Sequence, residues 1–193
     1  MTDNSELSSM PEIPTVQHLV LRSARVFGDK LALEDLKETP LPRVTHASLL
    51  DAVLRFGTAL RSLGLPERSH VAVLGENRVQ WGIGYLTCMC FNYVVVPVDA
   101  KLSINEILNI LHESEATAII YSEAFAPLLS ERRLSMKQLK FYVNMDAPDH
   151  RSGVHSMPKL LKDTAPCRVE DLPRIDAKAM AAILFTSGSL GKA

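Results

Sequence analysis

Apolar positions along this chain alternate between two rhythms. Over residues 46–63, Leu49, Val53, Phe56, Leu60 and Leu63 recur at steps of four and three, which lines one face of a helix. Thr45 stands where a side-chain cap belongs, and Gly64 stands where a helix ends. Residues 70–75 follow as a short apolar run of the buried-strand kind. Residues 76–91 read as a second helix, with Asn77 and Gln80 at capping-box spacing. The alternation then repeats. Residues 94–99 read as a strand with Pro97 near its end, and 103–115 as a helix opened by Ser103 and Glu106 at the same spacing. A strand over 116–122, a short helix over 123–133 and a strand over 139–145 follow. Beyond a polar loop at 146–153 come a helix over 154–163, a loose link through Pro166 and Pro173, and a last strand over 179–187. Upstream, 15–26 has helical spacing with Gly28 closing it, and 31–35 alternates like a strand.

Strands separated by helices of this length predict βαβ units: an α/β fold, largely a parallel twisted sheet with helices on both faces. Ligands of such sheets bind beyond the carboxyl ends of the strands. Three of those ends carry polar residues here, namely Gly75-Glu76-Asn77, Asp99 and Thr186-Ser187-Gly188. Residues 1–14 contain Pro11 and Pro14 and little periodicity, so a loose arm is expected, with one domain over 15–193.

Composition narrows the function classes. Lys plus Arg (21) nearly balances Asp plus Glu (22), and no basic run is present, which argues against nucleic acid as a partner. The amino terminus lacks the basic and apolar regions of a signal peptide, and the apolar stretch 83–98 is broken by Asn92 and Pro97, so no transmembrane segment is expected and the location reads as cytoplasmic. Cys88, Cys90 and Cys167 form no ligand spacing or disulfide framework, and no metal site is assigned. The histidines and Trp81 read as structural, and no side chain presents itself as a nucleophile or general base, so no catalytic residue is assigned.

The candidate chemistry lies in the stretch from Thr186 to Lys192, which follows an apolar run. Only Ser189 and Leu190 separate Gly188 from Gly191, too few for a Walker loop, and Thr186 occupies the place where a dinucleotide fingerprint needs its first glycine. What remains suits a polyphosphate. Gly188 and Gly191 let the backbone approach an anion and turn N–H groups toward it, while Thr186, Ser187 and Ser189 add hydroxyls. A plain surface turn has the same composition.

The loop resembles the signature of the adenylate-forming (AMP-binding) enzymes, which include acyl-CoA synthetases, peptide-synthetase adenylation domains and luciferases. Thr186, Ser187, Gly188, Ser189 and Gly191 match it; Leu190 departs from the family's threonine and Ala193 from its usual proline. Lys192 falls on a variable position and is not given the role of the family's lysine. The threonine-led helix from Thr45, the segment around His70 to Trp81 and the segment from Phe91 to Ile120 are also similar, with Asn92 where the family has glycine and His46 where it has an aromatic. The likeness spans 15–193 and is greatest to long-chain fatty acid–CoA ligases.

The resemblance implies a ligase that uses ATP and Mg²⁺ to convert a fatty acid to an acyl-adenylate and then passes the acyl group to CoA. Members are more than twice this length, so the expectation is an amino-terminal piece ending inside the phosphate loop, inactive alone and prone to self-associate. Two alternatives stand beside it: part of an enzyme that loads a carrier protein, or a stand-alone nucleotide-binding or interaction module.

Overall fold

The computed structural model describes residues 13–36, 39 and 41–186. Most of the expected loose arm, and the loop from Ser187 onward, therefore lie outside the described residues. Helix α1 (Val16–Phe27) starts on Thr15, whose hydroxyl accepts from the His18 amide at 3.3 Å, and stops at Gly28, where φ is 42°. Strands β1 (Leu31–Glu34) and β2 (Arg43–Thr45) pair antiparallel as a separate ladder. Helix α2 (His46–Ser62) begins with a reciprocal cap: the Ser48 amide donates to Thr45 Oγ1 at 3.2 Å and the Thr45 amide donates to Ser48 Oγ at 2.8 Å.

The main sheet holds β3 (His70–Gly75), β4 (Val94–Asp99), β5 (Ala118–Tyr121), β6 (Phe141–Asn144) and β7 (His155–Ser156) in the order β4-β3-β5-β6-β7, and every pair is parallel. Between them run α3 (Val79–Cys90), α4 (Ile104–Glu113) and α5 (Ala126–Arg132), and α6 (Met157–Asp163) follows β7. Side chains alternate faces along each strand, and the core divides accordingly. Val71, Val73 and Ile120 join Phe56 and Leu60 of α2 and Ile83 of α3 in one cluster. Ala72, Leu74 and Ile119 join Ile107 and Leu111 of α4 and Leu129 of α5 in the other. The expected α/β architecture, with helices covering both faces, is what the chain forms. Leu49, Val53, Phe56 and Leu60, the expected packing face of α2, are all buried.

Two residues that depart from the resembled family prove consistent with it. Asn92 holds φ at 59°, a left-handed conformation that glycine adopts freely and that asparagine tolerates better than most side chains. His46 keeps an aromatic contact, its ring lying 5.2 Å from that of Phe27.

Three local expectations need correction. Asn77 and Gln80 do not form a capping box, because α3 starts one residue later: Arg78 is its N-cap, in extended conformation and without a side-chain cap bond, which moves Gln80 out of the N3 position. The helix expected over 154–163 begins only at Met157. Ser156 caps it through the Lys159 amide at 3.1 Å, Pro158 sits in its first turn, and the preceding residues pair with β6. The last strand shrinks to a single parallel bridge between Ala182 and Val95. There Val95 donates to Ala181 O and Ile183 donates to Val95 O, both at 3.0 Å. The next rung of a parallel ladder needs an N–H from residue 97, and Pro97 has none.

Candidate functional site

A cleft of about 910 Å³ opens at the carboxyl ends of β3 and β4. Gly75, Glu76 and Asn77 form one wall where β3 ends, Pro97 to Asp99 and the turn to Leu102 form the floor, and Leu184, Phe185 and Thr186 close the far side. Two of the polar strand ends singled out in the sequence, Gly75-Glu76-Asn77 and Asp99, thus line one opening together with Thr186 of the third segment. Of the residues assigned to phosphate binding, Thr186 is on the cleft wall, while Ser187, Gly188, Ser189 and Gly191 lie outside the described residues.

Two acids bordering the cleft, Asp99 and Glu106, are engaged in local structure. Asp99 Oδ1 accepts from the Lys101 amide at 2.9 Å, which shapes the turn after β4. Glu106 accepts from the Ser103 hydroxyl at 2.6 Å and from the Ser103 amide at 2.8 Å, as its capping-box role requires. The Ser103 hydroxyl, followed by the Ser103 amide, holds its carboxyl below the ordinary range. Among the described residues no group of three or more His, Cys, Asp or Glu side chains is placed to hold a metal ion.

Trp81, read from sequence as a packing residue, is also a cleft-wall residue. Its ring stacks on Tyr85 one helical turn on, with centroids 5.3 Å apart and planes at 17°. The sequence signal was its position, on the first turn of the helix that leaves β3, but a tryptophan there serves core or cleft equally well. His150 and His155, which no sequence spacing linked, come together at 5.6 Å across the loop between β6 and β7. A second hollow, of about 710 Å³, lies between α1 and α2, away from the strand ends. Cys88 and Cys90 are buried in α3; burial pushes both thiols up, Cys90 to about 12, so neither supplies a thiolate near neutrality. No helix among the described residues is long and apolar enough to cross a membrane.

A parallel sheet that gathers polar residues at its carboxyl ends has the layout of a ligand site, and comparison with known proteins says of which family. Residues 20–193 match the sequence pattern of the AMP-binding enzymes. The chain belongs to that family of adenylate-forming ligases. It is 28% identical over 190 residues to a chloroplastic long-chain-fatty-acid–[acyl-carrier-protein] ligase of Arabidopsis thaliana, covering 88% of this chain and 26% of that protein. It is 26% identical over 178 residues to a hybrid PKS-NRPS synthetase of Penicillium crustosum, covering 92% of this chain and 4% of that one. Among solved structures, a long-chain-fatty-acid-CoA ligase of Archaeoglobus fulgidus superposes with a TM-score of 0.77 at 16% identity, over 92% of this chain and 35% of that one. The chain therefore spans well under half the length of each of these proteins.

Proposed function

We propose that this chain forms the opening part of the large domain of an ATP-dependent fatty acid–CoA ligase. In this reading the fatty acid carboxylate attacks the α-phosphate of ATP, pyrophosphate leaves, and the CoA thiol then takes the acyl group from the adenylate. Thr186, Ser187, Gly188, Ser189 and Gly191 begin the cradle for the ATP phosphates, offering backbone N–H groups and hydroxyls where negative charge gathers. In this reading Mg²⁺ arrives on the nucleotide. The observation that carries the reading is the position of Thr186 on the wall of a cleft at the carboxyl ends of a parallel sheet.

Carrier-protein loading is the competing reading, and the Arabidopsis ligase speaks for it by name. The experiment is pyrophosphate exchange and acyl transfer by protein continued along its native reading frame. A panel of carboxylic acids is offered with CoA or with a phosphopantetheinyl carrier protein as acceptor. Exchange that depends on long-chain fatty acids, with transfer to CoA, supports the reading. A preference for amino or aryl acids, or transfer to carrier protein alone, overturns it.

A further inference from the structure

Arg78, next to the cleft-lining Asn77, is tied to a residue two strands away. Asp146 follows β6, and its two carboxylate oxygens have separate partners. Arg78 Nη2 donates to Oδ1 at 2.5 Å, and the Glu123 amide donates to Oδ2 at 2.8 Å. Its own amide donates to Asn144 Oδ1 at 2.8 Å, and Asn144, which is 1% exposed, also accepts from the Ala147 amide and donates to Glu123 Oε2. The carboxylate is therefore aimed by a buried side chain before it meets Arg78. On the other side, Arg78 Nε donates to Gln80 Oε1 at 3.0 Å. Arg78 lies between Asn77, on the cleft wall, and the helix turn that carries Trp81.

The pair is a poor device for stability. Its side chains are only 11% and 25% exposed, so desolvation offsets much of the attraction, and removing both charges together often leaves a protein as stable as before. The arrangement also leaves the buried Gln80 Nε2 with no hydrogen-bond partner among the described residues, a further loss. What the pair does supply is position: a two-sided clamp on the residue between the two cleft-wall elements. We propose that Asp146 is a positioning residue for the cleft, acting through Arg78 to fix the Glu76-Asn77 turn and the Trp81 ring. The proposal rests on the reading of this cleft as the substrate side of a ligase.

Trp81 is the only tryptophan, so its fluorescence reports the cleft wall directly. The test compares the unmodified chain with Asp146→Asn, Arg78→Lys and the double variant Arg78→Met/Asp146→Asn, in which asparagine can still accept from the Glu123 amide. Asp149→Asn, on the same loop, is the control. Acrylamide quenching of Trp81 without ligand should rise about two-fold in all three variants, including the double variant, whose thermal midpoint should stay close to the unmodified value. The control should leave quenching unchanged. Unchanged quenching in the double variant, or an equal rise in the control, overturns the proposal. Arg78→Lys keeps the charge and decides the question if the double variant unfolds. ATP titration of the same signal in protein continued along its native reading frame separates the two readings: a signal that ignores ATP there counts against the nucleotide role, while ligand-free quenching still decides the positioning role.

Discussion

The Asp35 carboxylate, just past β1, accepts a 2.7 Å hydrogen bond from the amide of Val79, 44 residues further along the chain. This is the cap that α3 lacks from its own sequence neighbourhood. It joins the small antiparallel ladder to the helix that leaves the cleft. Thr39 donates to the other oxygen at 2.7 Å, so the carboxylate is held before it is used. Replacing Asp35 by Ala should lower stability by about 1 kcal/mol, with Asp35→Asn losing less because its carbonyl still accepts. Urea unfolding of the two variants against the parent checks the ranking.

Gly57 is a second point where sequence and packing meet. A Cβ there would fall 2.1 Å from the Phe91 ring, which is fully buried. Gly57→Ala should therefore destabilise by about 1–3 kcal/mol through overpacking, and adding Phe91→Leu should recover part of the loss. A thermal melt of the single and double variants tests this, and equal midpoints for parent and Gly57→Ala would refute the close contact.

The three thiols should differ sharply in reactivity. Cys88 and Cys90 are buried with raised pKa, whereas Cys167 is partly exposed. An aromatic disulfide reagent at neutral pH should label a single cysteine in the native chain and all three in denaturant. Mass mapping should place the native label on Cys167.

Acid should weaken the loop between β6 and β7. Burial, followed by the charge of His150, holds the His155 imidazole below its ordinary value of 6.5. The folded chain thus binds fewer protons than the unfolded one as pH drops below that value. The contribution is complete above pH 6.5 and declines toward the depressed folded value. His155→Asn should flatten the fall in urea midpoint between about pH 7 and about pH 5.

Self-association is expected of the chain on its own. Leu184 is 70% exposed and Met180 49%, beside the edge strand β4, where apolar surface and backbone groups invite a partner. Light scattering over a concentration series should show mass rising above that of one chain. A constant monomer mass would refute the expectation.

The sequence was most legible where one residue's neighbours decide its state. The face of α2 and the caps at Thr45 and Ser103 depend on spacings of three and four residues, and each forms as read. It was least legible where the deciding partner is distant. Nothing near Asn77 reveals that Asp35 caps the next helix, or that Arg78, extended ahead of that helix, pairs with Asp146. The candidate site shows the same division. The polar ends of β3 and β4 and Thr186 were legible, because a parallel sheet gathers its carboxyl ends on one side. Trp81 and the tie to Asp146 were not, because they depend on how α3 settles against β1 and β6.

Pro97 acts as a zipper stop. It occupies the outer strand, so its missing N–H faces the segment arriving from Ala181, just past the two bonds that Val95 makes with that segment. Pro97 offers no N–H to carry the ladder past Ile183, three residues before Thr186. Pro97 also lines the cleft itself. One imino acid thereby both stops the ladder and lines the opening, and a residue with a backbone N–H in its place would let the zipper close one tooth further, onto the Ile183 carbonyl.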